Sequence, residues 1–181
     1  MNIDIIVEAR VDSKRFPKKV IQKINKKFII EIMIERLKKI KNFRYIILAT
    51  TKKKSDDILI KIAKKNKIKF FRGHSKNVLK RVLNCAKKFE TEIIVEITGD
   101  NPLIDPSISS KMIEFFLKNI KKIDYLSNDG EIYKLKKTKK ITLGFSTKIF
   151  RTSILEKVNT LTDNKVDQEH VVNFILKNPR L

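Results

Sequence analysis

The chain opens with the run Ile3-Asp4-Ile5-Ile6-Val7, in which every residue but one is apolar. A short, nearly continuous apolar run is typical of a strand that is buried on both faces of a parallel sheet. We therefore expect residues 3–7 to form the first and central strand. A polar segment with Pro17 follows at residues 11–19 and predicts a loop, and the apolar periodicity of residues 28–40 predicts a helix after it.

The same alternation of strand and helix continues to residue 117. Apolar runs predict strands at residues 45–49, 68–71 and 93–97, and periodic stretches predict helices that begin after Ser55, at Val78 and after Asp105. Strands that alternate with helices require right-handed crossovers and a mainly parallel sheet covered on both faces. The sequence therefore predicts an α/β fold, a three-layer sandwich around a mainly parallel sheet.

The pattern after Asp124 is weaker. We expect a lysine-rich loop at residues 134–140 and a further strand at residues 145–150, for which an antiparallel direction is left open. Asp167 is expected to cap a last helix, whose apolar face consists of Val171, Val172, Phe174 and Ile175. Because no internal repeat or linker is visible, we expect residues 1–181 to form a single domain.

The formal net charge is +22, from 42 Lys and Arg residues against 20 Asp and Glu residues. Such a charge, taken alone, favours nucleic acid or an anionic membrane as the ligand. The lysines, however, are spread over nearly every predicted helix and loop, and no basic arm, zinc finger or aromatic RNA-binding strand is present. Nucleic acid is therefore not the expected partner, although a phosphate-rich small substrate would benefit from the positive field.

The cysteine content and the lengths of the apolar runs limit where in the cell the protein is expected. Cys85 cannot form an internal disulfide and is expected to be a small buried residue of the helix at residues 78–89. Acidic residues interrupt the longest apolar stretches, which leaves no expected signal peptide and no expected membrane span. We expect a cytoplasmic protein.

Ligands of an open parallel sheet bind outside the carboxyl ends of its strands, and the residues at those positions are polar here. They are Glu8, Ala9, Arg10, Asp12, Ser13, Arg15 and Lys19 after the first strand, Thr50 and Thr51 after the second, Arg72, Gly73 and His74 after the third, and Thr98, Gly99, Asp100 and Asn101 after the fourth. The first-loop cations can surround a triphosphate, and Asp100 can hold the Mg²⁺ that bridges its oxygens.

Five sequence blocks resemble, in the same order, those of the acylneuraminate and 3-deoxy-manno-octulosonate cytidylyltransferases, and most closely those of the spore-coat polysaccharide protein F branch. The blocks are residues 8–19 (EARVDSKRFPKK), 71–73 with 78–81 (FRG and VLKR), 97–106 (ITGDNPLIDP), 124–128 (DYLSN) and 168–171 with 178–179 (QEHV and NP). The first block is similar to the family signature A-R-x-x-S-x-R-L-P-x-K. The first and third blocks form the most specific pair.

This resemblance implies a glycosyltransferase-A-like fold, that of the nucleotide-diphospho-sugar transferases, and a nucleotidyltransferase activity. CMP would pass from CTP to a sugar or sugar acid of a surface polysaccharide. By the family match, phosphate and metal binding and catalysis fall to Arg10, Lys19 and Asp100, with Mg²⁺ as the cofactor. The nucleotide would further contact Ala9, Ser13, Arg15 and Gly73, and the sugar side would consist of Asn128, Glu169 and His170.

The chain departs from the family pattern at several positions. In the first loop, the family usually has glycine where this chain has Asp12 and Lys18. In the second block, it usually has acidic residues where this chain has Asn77 and Lys80. Before the last strand, it commonly has Gly-Leu-Asp where this chain has Gly144-Phe145-Ser146. Glycine in the first loop lets the backbone approach phosphate, and an acidic side chain there is expected to repel it. The resemblance also implies a later strand with a second metal-binding Asp, beyond Leu181. We therefore expect slow turnover or none from these 181 residues.

Three functions of different classes remain open. They are an active cytidylyltransferase-like enzyme, a degenerate or truncated relative that binds nucleotide without turnover, and a basic nucleic-acid-binding protein. The first-loop cations also fit ordinary solvated charges, and Asp100 also fits turn chemistry after Gly99. His74 and His170 have no Cys or second His at ligand spacing, so zinc is not expected. The base, the sugar and homodimer formation are left open.

Overall fold

The computed structural model describes residues 1–12, 16–128, 144–178 and 181. In these ranges the strands are β1 (Ile3–Glu8), β2 (Lys23–Ile24), β3 (Lys27–Phe28), β4 (Tyr45–Thr51), β5 (Lys69–Gly73), β6 (Ile93–Thr98), β7 (Tyr125–Ser127) and β8 (Lys148–Arg151). The α-helices are α1 (Ile29–Leu37), α2 (Asp57–Lys65), α3 (Val78–Lys88), α4 (Pro106–Lys118), α5 (Thr152–Leu161), α6 (Lys165–Glu169) and α7 (Asn173–Lys177). The lysine-rich loop expected at residues 134–140 lies outside the described residues.

A six-stranded sheet in the order β5-β4-β1-β6-β8-β7 forms the middle layer. The pairs β5 with β4, β4 with β1 and β1 with β6 are parallel, whereas β8 is antiparallel to both of its neighbours. β1 thus lies between two parallel strands, as its apolar run predicts. The mainly parallel sheet with a central first strand is confirmed, and the strand expected at residues 145–150 is the antiparallel β8.

The two faces of the sheet carry separate apolar clusters. Alternate residues of β1 point to opposite faces, so that Ile5 and Val7 join the cluster under α1, α2 and α4, while Ile6 joins the cluster under α3, α5 and α7. The predicted three-layer sandwich is confirmed. Cys85 is completely buried in the second cluster, as expected, and burial raises the pKa of its thiol to about 12. Within the described part of the chain, no helix has the length and apolarity needed to cross a bilayer.

The start of α4 agrees with its sequence. The side chain of Asp105 accepts hydrogen bonds from the backbone N–H groups of Ser107 and Ile108 at 2.8 and 2.9 Å. Pro106 occupies the first helical position, where the missing N–H needs no partner. The predicted cap at Asp105 is confirmed, because all the groups that form it lie within three residues of one another.

The predicted cap of α2 is wrong. Ser55 lies inside a single 3₁₀ turn, Lys54–Asp56, and α2 begins only at Asp57. The carboxylate of Asp56, which directly precedes α2, makes no capping bond either, because it accepts hydrogen bonds from Val11 and Thr51. A partner distant in the sequence has replaced the local interaction.

The C-terminal region forms two short helices instead of the one that the sequence predicts. Asp167 lies inside α6, whose N-cap is Asn164, so the cap expected at Asp167 is wrong. The buried Asp167 carboxylate accepts hydrogen bonds from Thr162 and Asn173, and Lys177 lies 3.4 Å from it. It therefore ties α6 to α7 instead of beginning a helix.

A short hairpin of β2 and β3 precedes α1 and escaped the sequence prediction. Asn25 and Lys26 form its turn with φ angles of 47° and 67°, the left-handed region that two-residue hairpin turns require. Each of its strands has only two residues. Such lengths are too short for an alternating pattern to be recognised.

Replacing Phe116 with alanine should lower the free energy of unfolding by about 3–5 kcal/mol, because its ring is completely buried under α4. The matched control is Phe115→Ala on the same helix. Phe115 is 53% exposed, so its loss should change the free energy by less than about 0.5 kcal/mol. Urea unfolding of both variants measures the difference, and equal losses would mean that α4 packs by another face.

Candidate active site

The carboxyl ends of β1 and β6 lie side by side where the chain reverses its course across the sheet. From β1 the chain proceeds outward to β4 and β5, and it then returns past β1 to β6 on the other side. Such a reversal leaves a crevice between neighbouring strand ends, which is the usual ligand site of open α/β sheets. Glu8 and Thr98 are the last paired residues on its two sides.

Gly99 allows the two strand ends to approach each other closely. Its N–H donates to the carbonyl oxygen of Glu8 at 2.8 Å. A Cβ at Gly99 would lie 2.7 Å from the Cβ of Ala9 and 3.1 Å from the Glu8 carbonyl oxygen, so a side chain would force the ends apart. This contact brings the residues that follow the two strands, Arg10 and Asp100 among them, to one crevice.

Lys19 and Asp100 form an ion pair, although 81 residues separate them. Burial raises the pKa of Asp100, but hydrogen bonds from Lys19 and Thr98 more than offset this, so that the pKa lies below its ordinary value. Lys18 directly precedes Lys19 and has a φ of 61°. This left-handed conformation costs a non-glycine residue about 1–2 kcal/mol and gives a conformational reason for the glycine that the resemblance leads one to expect there.

Arg10 forms a second ion pair, with Glu169 at the end of α6. The Nη2 atom of Arg10 lies 3.2 Å from the Oε1 atom of Glu169, and both side chains are partly exposed. His170 follows as the residue that ends α6, and its backbone N–H donates to the carbonyl oxygen of Val166 at 2.9 Å. Glu169, expected on the sugar side, thus lies beside a cation expected at the phosphates.

The carboxylate of Asp12 faces the connection between β4 and α2. It lies 2.9 Å from Nζ of Lys53 and 3.4 Å from Oγ of Ser55. The hydrogen bond from Lys53 is the main reason why the pKa of Asp12 lies below its ordinary value. The negative charge that the sequence analysis expected to repel a triphosphate is thus paired with a lysine.

A cavity of about 510 Å³ opens at the carboxyl end of β5, a volume within the range of small-molecule sites. Its walls are formed by Lys52, Phe71, Arg72, Gly73, His74, Ser75, Lys76, Lys80 and Asn84. An aromatic ring, a glycine and lysine side chains meet there, and none of these lining residues is acidic. A Cβ at Gly73 would lie only 2.6 Å from the Phe71 ring and 2.8 Å from Arg81, so this position has no room for a side chain.

The other predicted site residues differ in their surroundings. Ser13 and Arg15 lie outside the described residues. Ala9 is buried, and its N–H donates to the carbonyl oxygen of Ala49 at 3.2 Å. The N–H of Ala9 is therefore engaged within the sheet. Asn128 uses both ends of its amide, which donates to the Phe145 carbonyl at 3.0 Å and accepts from the Thr147 N–H at 2.8 Å. Asn128 therefore fixes the backbone that leads into β8.

A charged cluster beneath the crevice was not recognised as a unit in the sequence. It consists of Glu8, Arg81, Glu96 and Lys148, which come from β1, α3, β6 and β8. Burial, and then the neighbouring carboxylate of Glu96, raise the pKa of Glu8 to about 8. Among the described residues, Oε2 of Glu8 has no hydrogen-bond partner. The sequence contains one sign of this buried cluster, because Glu96 is the single charged residue of its apolar run.

Asp100 is the acid at the crevice that fits a divalent cation. In the described ranges, no group of three or more His, Cys, Asp or Glu residues is arranged to hold a metal ion. Mg²⁺, however, commonly takes one or two protein carboxylates and completes its coordination with phosphate oxygens and water. Asp100 therefore fits a cation that arrives together with a polyphosphate, and it would exchange Lys19 for that cation.

Comparison with known proteins decides the family. A family model described as cytidylyltransferase matches residues 5–181. The chain belongs to the cytidylyltransferase family. It is a nucleotidyltransferase enzyme by that membership, as the five sequence blocks led us to expect.

Two relatives and one solved structure show the extent of this similarity. An uncharacterized protein of Methanocaldococcus jannaschii is 40% identical over 181 residues, all of this chain and 70% of its own length. The spore coat polysaccharide biosynthesis protein SpsF of Bacillus subtilis is 27% identical, over 99% of this chain and 72% of its own. The structure of a cytidylyltransferase from Leptospira borgpetersenii is 34% identical with a TM-score of 0.91, over 99% of this chain and 72% of that one. The fold is that of the nucleotide-diphospho-sugar transferases.

The stability of the protein should depend on pH through Glu8. Because its pKa is about 8 in the folded state and 4.5 ordinarily, the folded state keeps the Glu8 proton that the unfolded state releases above pH 4.5. Its contribution is therefore fully present below about pH 4.5 and is lost as the pH rises to 8. In Glu8→Gln, which cannot ionise, the free energy of unfolding relative to wild type should rise by a few kcal/mol between pH 5 and pH 8.

Urea unfolding at four pH values between 5 and 8 measures this difference. Glu114→Gln is the matched control, because Glu114 is exposed on α4 and its replacement should shift stability little at any of these pH values. A difference between wild type and Glu8→Gln that stays constant with pH would contradict the raised pKa.

Proposed function

We propose that this cytidylyltransferase transfers CMP from CTP to a sugar acid that enters a surface polysaccharide, with release of pyrophosphate. The observation that carries the proposal is the pairing of Lys19 with Asp100 at the switch point of the sheet. A cation for phosphate and a carboxylate for a metal thus occupy the same crevice, as nucleotidyl transfer requires.

The triphosphate would replace carboxylates as the partner of the two first-loop cations. Lys19 is paired with Asp100 and Arg10 with Glu169, and all four side chains are partly exposed. Exposed ion pairs contribute little net free energy, so phosphate oxygens can displace them at small cost. Arg10 offers a planar fork of donors for two oxygens, and Lys19 offers a compact charge. These cations would hold the phosphates and neutralise the charge that develops on them during transfer.

Mg²⁺ is the metal that we assign to Asp100. When bound, it would supply Lewis-acid polarisation of the phosphate oxygens. Asp100 contributes one carboxylate oxygen donor, and its lowered pKa keeps it ionised at neutral pH. Release of Asp100 from Lys19 would free both groups for the metal and the phosphates at the same time.

The cytosine ring would occupy the cavity at β5, and the acceptor would bind near the end of α6. Gly73 lines the cavity at β5, where the Phe71 ring offers an apolar wall and the side chains of Ser75 and Asn84 offer hydrogen-bonding groups for a base. Glu169 and His170 at the end of α6 are our candidates for the sugar side, together with Asn128. The likeness to the spore-coat polysaccharide protein supports a role in a surface polysaccharide, and the likeness to a 3-deoxy-manno-octulosonate cytidylyltransferase supports a sugar acid as the acceptor.

Arg10→Ala and Lys19→Ala should each abolish detectable binding of CTP with Mg²⁺ while leaving thermal stability close to wild type. Neither side chain belongs to an apolar cluster, and each variant loses only a partly exposed ion pair. Isothermal titration calorimetry measures the affinity. Lys61→Ala on the exposed face of α2 is the control for general loss of positive charge and should bind as wild type does. Wild-type affinity in both loop variants would exclude the first loop as the phosphate site.

Asp100→Asn should lower the rate of pyrophosphate release by about 100-fold or more, because the amide keeps the shape of the side chain but loses the charge that attracts the metal. The assay combines CTP and Mg²⁺ with a panel of sugar acids, and it includes the other nucleoside triphosphates as competitors. Asp105→Asn is the matched control, since its helix cap survives the same replacement. Tight CTP binding without pyrophosphate release for any acceptor would instead support a nucleotide-binding relative without turnover.

A further inference from the structure

Asp56 is a buried carboxylate that belongs to none of the roles described so far. It is 1% exposed and lies in the connection between β4 and α2. Its Oδ1 accepts a hydrogen bond from the backbone N–H of Val11 at 2.8 Å. Its Oδ2 accepts from the backbone N–H of Thr51 at 3.2 Å and from the Thr51 hydroxyl. One carboxylate therefore joins the first loop to the end of β4.

We propose that Asp56 is a positioning residue for nucleotidyl transfer, which holds the backbone of Val11 and thereby sets where Arg10 presents its guanidinium. The proposal rests on the role given above to Arg10 at the phosphates. Asp56 itself would touch neither nucleotide nor metal.

The first loop needs such an anchor because it leaves the sheet at this point. The last residue of β1 is Glu8, and Val11 lies beyond the strand pairing, yet only 5% of its surface is exposed. A buried N–H without a partner is costly, so an acceptor must come from elsewhere. Asp56, which is 45 residues away in the chain, supplies this acceptor. The anchored residue, Val11, directly follows Arg10.

The connection that carries Asp56 is itself braced. Arg72 donates to the carbonyl oxygens of Thr51 and Lys53 at 3.0 and 2.7 Å, and it also donates to the carboxylate of Asp57 at 2.7 Å. The ion pair of Lys53 with Asp12 adds a second, exposed link to the first loop. Asp56 therefore acts from a rigid base, and its hold on Val11 can be transmitted to Arg10.

A carboxylate suits this position because both of its oxygens accept hydrogen bonds here. In Asp56→Asn the side chain keeps its size, but its NH₂ group must face either the Val11 N–H or the Thr51 N–H, where a donor meets a donor. The loop would shift away from one of these contacts. A displacement of about 1 Å in a group that orients the reacting phosphates can lower catalysis on the order of 100-fold.

The test compares two neighbouring aspartates with the same replacement. Asp56→Asn should raise KM for CTP about tenfold or more and lower kcat/KM on the order of 100-fold. Asp57 makes no contact with the described residues of the first loop, and in Asp57→Asn Arg72 keeps its hydrogen bonds to the carbonyl oxygens of Thr51 and Lys53, so this variant should stay within about twofold of wild type. A merely structural role would lower the folded fraction and leave KM unchanged, and an unchanged KM in Asp56→Asn overturns the proposal.

A double variant locates the effect at Arg10. In an Arg10→Ala background, the residual kcat/KM is measured from initial rates at CTP concentrations far below saturation. Asp56→Asn should lower it little further, because Asp56 acts through the side chain already removed. Full additivity of the two losses would overturn the proposal.

A measurement on the wild type covers the case in which Asp56→Asn does not fold. Hydrogen exchange resolved at the Val11 amide should show protection well above that of an unstructured peptide, and free exchange at Val11 overturns the proposal. This readout needs no nucleotide. If wild type shows protected Val11 but no CTP binding, the proposed function fails while the contact stands, so the two failures can be told apart.

Discussion

The site depends on the close contact between the carboxyl ends of β1 and β6. The N–H of Gly99 reaches the carbonyl oxygen of Glu8, and the absence of a side chain at Gly99 lets Ala9 lie against it. Any larger residue would separate the two strand ends, because the nearest obstacles include backbone atoms that cannot rotate away. The same contact places the first loop and Asp100 in one crevice. The chemistry of the protein therefore begins with a packing constraint at the switch point of the sheet.

The pairing of positive with negative side chains within the site is as important as the high positive charge of the chain. Each described first-loop cation assigned to phosphate is paired with an acid from another element, Lys19 with Asp100 and Arg10 with Glu169. Asp12, at a position where the resemblance leads one to expect glycine, is paired with Lys53. Because these pairs are partly exposed, they hold the side chains in place and can still yield to a triphosphate. The net charge of +22 then acts as a general field that favours phosphate-rich ligands.

Local sequence signals succeeded where their partners are local. The cap at Asp105 was predictable because the carboxylate and the N–H groups that it accepts from lie within three residues. The cap expected at Ser55 is wrong, because the neighbouring Asp56 is engaged by Val11, which only folding brings close. The cap expected at Asp167 is wrong, because Asn164 caps α6 and Asp167 instead accepts hydrogen bonds from Thr162 and Asn173. The contact of Asp56 with Val11 spans 45 residues and has no periodic signature. Such long-range polar contacts cannot be read from a hydrophobic pattern.

The sequence by itself determined the alternation of strands and helices and the central place of β1, because burial of apolar side chains imposes a pattern that is visible in the chain. The resemblance of its five sequence blocks indicated the family. The sequence also placed Arg10 and Asp100 just after strands and Lys19 in the first loop. Only the tertiary structure decided which acid faces which cation, that Asp12 faces Lys53, and that Glu8 lies in a buried charged cluster with a pKa of about 8. These outcomes depend on distances between groups far apart in the chain, and electrostatic interactions and desolvation act through space, whatever the order of residues.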